Sequence, residues 1–372
     1  MKKSALALAA LGAFAGAASA QSSVTLFGVV DLNVRYVNND ATTYSLGQDG
    51  MASSRLGFRG VEDLGGGLKA SFWLEAALGP DTGRGSASFG NGTTTVNLPG
   101  GGSVTNENSF LFQRRSTVSL SNQWGELRLG RDYTPQFWNW TVFDPFGTNG
   151  VGSALNLSLE AGNFAGSGGS YGTLVRANNS VQYILPNGVF GPGLYGNVMV
   201  AAGEAALGNK MWGGRIGYAA GPFNVAAAYS DTDISPEANA TNWNIGGSWD
   251  FGQFGKVSAF FSQIDISGAV AGVAFADRGQ DNWYIGYAIP FGQANFKISW
   301  GQADGTGASN QRGGKQWALG ADYNLSKRTA LYATYSAINN DASSAFRVTA
   351  QSSALSIGQN SSGFEVGVRH TF

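Results

Sequence analysis

The sequence predicts an all-β fold, a transmembrane antiparallel β-barrel of 16 strands. Three observations carry that expectation. Apolar residues recur at every second position in segment after segment. The connections between these segments alternate between short and long. After the first 20 residues no apolar run approaches the ~18 residues a membrane helix needs, while mean hydropathy is −0.10 and aromatics make up 12% of the chain.

The first 20 residues are set apart before the fold is read. Lys2 and Lys3 form a short positive region, Ser4 to Ala18 are small or apolar, and Ala18-Ser19-Ala20 fits an A-x-A cleavage site. That layout predicts a secretory signal peptide over 1–20 and export through the periplasm. The mature barrel would then occupy 21–372, starting at Gln21. Loss of Lys2 and Lys3 leaves 21 basic against 24 acidic residues, a net charge of −3.

Composition narrows the class further. Glycine accounts for 56 of 372 residues and charged residues for only 13%, against a usual ~25%. An oily outer face and a wet inner face in one chain produce that balance. There are no cysteines, which excludes a disulfide framework and a thiolate metal site. No basic patch calls for a nucleic-acid partner, and nothing calls for a cofactor.

The first strand shows the pattern. From Ser23, the residues Val24, Leu26, Gly28, Val30, Leu32, Val34 and Tyr36 fall on one face, with Thr25, Phe27, Val29, Asp31, Asn33 and Arg35 on the other. Strand side chains alternate in this way. Such a segment is long for a soluble sheet but suits a tilted strand crossing a bilayer. The same reading places strands at 23–37, 51–62, 67–79, 108–121, 125–132, 174–186, 193–203, 209–220, 223–232, 241–251, 256–267, 280–290, 293–302, 314–326, 329–338 and 362–372. Sixteen is even, as bacterial single-chain barrels require.

The connections follow. Asp63 to Gly66, Asn122 to Trp124 and Ser326 to Arg328 are short; 38–50, 80–107, 133–173 and 339–361 are long. Short periplasmic turns and long extracellular loops are the expected asymmetry. Closure has its own cause. Lipid offers no partner to a backbone N–H or C=O, so an open sheet edge cannot survive there.

Six segments now combine into a resemblance. They are Ser23-Val-Thr-Leu-Phe-Gly-Val-Val-Asp31, Ser54-Arg-Leu-Gly-Phe-Arg-Gly-Val-Glu-Asp-Leu-Gly-Gly-Gly-Leu-Lys-Ala70, Gly125-Glu-Leu-Arg-Leu-Gly-Arg-Asp-Tyr-Thr-Pro135, Arg176-Ala-Asn-Asn-Ser-Val-Gln-Tyr183 and Val366-Gly-Val-Arg-His-Thr-Phe372, with Asp144-Pro-Phe-Gly147 between them. Across the mature chain they resemble the general porins of beta-proteobacteria, a Gram-negative porin family. The resemblance implies a 16-stranded barrel in the cell outer membrane, usually a homotrimer, with loop 3 folded inward. It implies a water-filled diffusion channel for small hydrophilic solutes and ions. It also implies that Phe372 belongs to the signal read by the outer-membrane assembly machinery. The chain departs from the family at Arg114-Arg115, where one arginine is usual.

Alternation assigns the lumen face. Leu56 and Phe58 point to lipid, so Arg55 and Arg59 point inward; the same parity turns Glu75, Arg115, Thr117, Arg176, Asn178 and Gln182 inward. Arg55 lies eight residues above its turn, roughly 20 Å up a tilted strand, near mid-barrel. The loop 133–173 is rich in aromatics and should fold against the inner wall. A pore constriction is therefore expected with Arg55, Arg59, Arg115 and Arg176 on the wall and Asp144 and Glu160 on the loop. Opposed charges across a narrow wet pore set up a transverse field that sorts ions. Four arginines against two loop acids lean toward weak anion selectivity, partly offset by Asp31 and Glu75.

Other chemistries find little footing. The sole histidine, His370, faces lipid by parity, so neither a nucleophile–base pair nor a histidine metal site can be built. Asp40 and Asp49 could meet Ca²⁺, yet no dense Asp motif surrounds them. The clusters Gly100-Gly101-Gly102 and Gly166-Ser167-Gly168-Gly169 lack a phosphate-loop lysine and read as loop tips. An enzyme is not expected. A solute-specific channel with a dedicated binding site and a structural or adhesive barrel stand as alternatives.

Overall fold

The computed structural model describes residues 23–83, 85, 93–98, 102–107, 112–158, 173–186, 188, 191–204, 210–235, 237–270, 273–274, 277–350 and 352–372. The expected signal peptide and Glu160 lie outside the described residues.

The two-residue rhythm becomes strands in the expected places. β1 (Ser23–Asn38) is followed by β2 (Thr42–Gln48), β3 (Arg55–Gly65) and β4 (Leu68–Ala77). A separate hairpin of β5 (Thr93–Leu98) and β6 (Gly102–Glu107) precedes β7 (Arg115–Asn122) and β8 (Gly125–Tyr133). Helix α1 (Pro135–Phe143) and a 3-10 turn (Ala154–Leu157) interrupt the pattern. Then come β9 (Arg176–Ile184), β10 (Leu194–Ala201), β11 (Lys210–Ala220), β12 (Phe223–Ser235) and β13 (Glu237–Asp250). The chain ends through β14 (Lys256–Val270), the two-residue β15 (Val273–Ala274), β16 (Arg278–Phe291), β17 (Ala294–Gly307), β18 (Gly313–Asn324), β19 (Thr329–Asn340) and β20 (Ser361–Thr371).

Neighbouring wall strands pair antiparallel, and β20 pairs with β1 from Val29↔Thr371 to Asn38↔Ser362. The sheet therefore closes into a 16-stranded barrel, with β2, β5, β6 and β15 as extras on the loops. Closure leaves no sheet edge to lipid. Outward side chains such as Val118, Leu120, Val198, Val200, Ile285 and Leu319 are exposed, while inward Ser119, Asn197, Ser262 and Gln182 are covered. Among the described residues no helix is long and apolar enough to cross a membrane.

β7 starts later than expected, at Arg115 rather than Asn108, and so does β3, at Arg55 rather than Met51. For β3 the cause is Asp31, whose carboxylate accepts the N–H groups of Gly50 (3.2 Å), Met51 (2.9 Å) and Ala52 (2.8 Å), and the Tyr332 hydroxyl. With its N–H groups taken by that carboxylate, 50–52 stays out of the ladder. The upper half of β1 pairs with β2 instead, and β3 joins lower down at Val29↔Arg55.

Candidate pore constriction

The segment after β8 leaves the ladder and packs against side chains of β12, β14 and β16. α1 opens with Pro135 at its first turn, where a missing N–H costs nothing. Its Phe137, Trp140 and Phe143 are buried against Ala226, Phe260 and Tyr284. Trp140 and Phe260 lie 4.5 Å apart between ring centroids. A helix suits this place because it satisfies its own backbone where no wall strand has a free edge.

Glycines on the wall make room for the segment. A side chain at Gly246 would strike the Phe143 ring, one at Gly286 would strike Pro145, and one at Gly320 would strike Phe146. Wall amides then grip its backbone. Gln280 donates to the Leu157 carbonyl (2.7 Å), and Gln316 donates to those of Val151 (3.3 Å) and Ser153 (3.2 Å). Asn244 accepts from Asn139 (2.8 Å) and donates to the Gln136 carbonyl (3.2 Å). The last long loop joins in. Phe346 and Val348 are buried with Val37, Val151, Leu157, Ala303 and Ile338, and Asn156 donates to the Val348 carbonyl (2.9 Å).

What remains open beside this segment is a cavity of ≈ 420 Å³ lined by Arg35, Arg55, Arg114 and Arg176 from the wall, Tyr133 and Trp138, and Thr148, Asn149 and Ser153 from the loop. Arg35 is neutralised by Glu365 at 2.9 Å, and Glu365 also accepts the Val151 N–H (3.1 Å), which ties the loop to the wall. Arg114 meets Glu75 at 2.6 Å, with Arg55 3.6 Å from the same oxygen. Arg114 also donates to the Tyr133 hydroxyl (3.2 Å), and Arg176 lies 4.4 Å over the Tyr133 ring. Among the described residues Arg176 forms no ion pair. Asp49 is the one carboxylate in the lining among the described residues. Burial pushes its carboxyl up to about 6, against the pull of the Ser54 N–H and of the Arg114 charge.

Five of the six expected constriction residues are described, Glu160 being outside the described residues, and the five divide. Arg55 and Arg176 come together on the cavity. Arg59 and Arg115 face the lumen but do not line the cavity: both stack on Trp73, and Arg115 lies 3.5 Å from Asp132. Asp144 does not face the arginines. It is buried in its own loop, accepting the N–H groups of Phe146 (2.8 Å), Thr148 (3.0 Å) and Ala154 (2.9 Å) and the Tyr284 hydroxyl (2.7 Å). Burial raises its carboxyl above the usual range, opposed by these same bonds. A cue was present, since Asp144-Pro145-Phe146-Gly147 is a sequence whose Asp typically binds backbone two residues on. Asp40 and Asp49 likewise serve separate loops, accepting from Ser356 and Ser54.

A family model described as Gram-negative porin matches residues 7–343. The chain belongs to the Gram-negative porin family. It is 36% identical over 385 residues to outer membrane porin protein 32 of Delftia acidovorans, the match spanning the whole of both chains. An outer membrane porin of Bordetella pertussis is 31% identical over 435 residues, again across both whole chains. Among solved structures, an anion-selective porin from Comamonas acidovorans shares 32% identity with a TM-score of 0.78, covering 95% of this chain and 100% of that one. The porin is thus a multi-pass outer-membrane β-barrel, and its function is that of a diffusion channel. Its wall supplies the closed, hydrogen-bonded shell, and its lumen supplies the polar passage.

Proposed function

We propose that this porin prefers anions, and that Arg55 and Arg176 set the preference where the segment 134–158 narrows the passage. The carrying observation is the charge balance of the cavity. Four arginines line it; Glu365 neutralises Arg35, Glu75 is shared by Arg114 and Arg55, and Asp49 is the one further carboxylate, so among the described residues four positive charges meet three negative ones. In a confined wet passage an unbalanced positive wall enriches anions and repels cations. The anion selectivity of the Comamonas acidovorans porin agrees with this reading. Single-channel recording in a salt gradient tests it. Replacing Arg55 and Arg176 together by Ser should move the zero-current potential toward that of cations, and an unmoved potential rejects the assignment.

The same reading makes the porin a homotrimer in outer-membrane lipid. It has small hydrophilic solutes as its cargo and Phe372 as its mark for the assembly machinery. Cleavage after Ala20 belongs with it, and N-terminal sequencing of the outer-membrane form should begin at Gln21. Chemical cross-linking of intact membranes should give a limit species of three chains.

A further inference from the structure

Below the cavity, one aromatic platform holds two guanidiniums. Phe27 and Trp73 meet edge to face with centroids 5.0 Å apart. The Arg59 guanidinium carbon lies 5.1 Å from the Trp73 centroid and 5.3 Å from that of Phe27, and that of Arg115 lies 4.5 Å from Trp73. The platform is anchored, because Trp73 Nε1 donates to Glu75 (3.1 Å), which in turn holds Arg114. Arg59 pairs in register with Trp73, four residues along β3 from Arg55 toward the turn at 65–67. That spacing puts it roughly 13 Å further along the strand, on the side of the short turns and so of the periplasm.

The two guanidiniums differ in what balances them. Arg115 donates to Thr117 (3.2 Å) and has Asp132 at 3.5 Å. Arg59 is exposed to the lumen and, among the described residues, has no ion pair. Stacking on ring faces fixes a planar guanidinium while leaving its N–H edge free for a carboxylate. A cation already ordered in this way loses little freedom on meeting an anion.

We propose that Arg59, stacked on Phe27 and Trp73, is a second anion stop on the periplasmic side of the constriction, taking small organic carboxylates. The proposal rests on the anion-preferring reading above. Conduction needs sites strong enough to draw an ion in and weak or numerous enough to let it leave. A second stop gives an anion leaving Arg55 and Arg176 somewhere to go.

The test is oriented single channels in a planar bilayer, with succinate added to one side at a time. In the wild type, periplasmic succinate should interrupt the chloride current. R59Q should raise the succinate concentration needed from that side by roughly fivefold, the scale of one partly exposed charge-assisted contact. F27L keeps the charge and removes one stacking face, so it should fall between. Heat-modifiable gel mobility confirms that each variant is a folded barrel. Periplasmic block that is absent in the wild type, or unchanged in R59Q, overturns the proposal. If R55S/R176S still shifts the zero-current potential in that case, the anion-preferring reading stands and only the second stop is lost.

Discussion

Glu75 shows how one side chain organises the lumen. It pairs with Arg114 and Arg55 and accepts from Trp73, so a single carboxylate joins the cavity to the aromatic platform beneath it. Parity along β7 turned Arg115 inward, and Arg115 does touch lumen residues. Parity cannot reach Arg114, because that residue precedes the strand and is placed by the N–H it gives to the Glu75 carbonyl (3.0 Å). The inward charges were therefore legible as a class, while the choice among them depended on where strands begin. Asp49 gives this scale its pH dependence. Its carboxyl is pushed up to about 6, so it is mostly charged at pH 7 and mostly neutral at pH 5. Losing that negative charge leaves the arginines less opposed, and anion preference should rise as pH falls through about 6. Zero-current potentials recorded at pH 7 and pH 5 check this. The Asp49→Asn channel should show the low-pH value at both, and a wild type without any shift would remove Asp49 from the filter.

At the scale of elements, wall and loop segment were legible to different degrees for one physical reason. The wall divides two solvents, lipid and water, and that division imprints a period of two on every strand. All sixteen wall strands could be placed from it, including the pair near 193–220. Segment 134–158 meets no such division. Its helix, its Asp144 hub and its contacts on Gly246, Gly286 and Gly320 come from tertiary packing, and a glycine in a strand does not announce which ring will lie on it. Two variants probe that packing. Asp144→Ala strands three backbone N–H groups and the Tyr284 hydroxyl, a loss of about 3 kcal/mol after water from the lumen meets some of them. The loop should loosen, with noisier and larger single-channel currents while the barrel still folds. Gly246→Val puts its side chain where the Phe143 ring lies, so it should displace α1 and raise conductance in the same way. Currents matching the wild type in both variants would mean that this segment does not limit flow.

At the scale of the whole molecule, the barrel is a ring whose last bond matters as much as any other. Gly28 and Phe372 exchange both backbone hydrogen bonds, each 3.1 Å, and the Phe372 ring occupies the space that a Gly28 side chain would fill. Removing Phe372 deletes the final rung where β1 meets β20 and leaves Gly28 with a bare N–H and C=O near the membrane surface. Two lost bonds there cost about 2 kcal/mol, so the purified variant should melt a few degrees earlier. The same residue is expected to be read by the assembly machinery, and the two roles separate by experiment. Refolding from denaturant into lipid vesicles needs no machinery. If the truncated chain refolds more slowly or melts earlier in vesicles, the residue closes the seam. If it refolds and melts like the wild type there but fails to reach the outer membrane in cells, its work lies in recognition alone. The paired bonds at Gly28 favour the first outcome, because a cylinder in lipid has no other way to satisfy the ends of its closing strands.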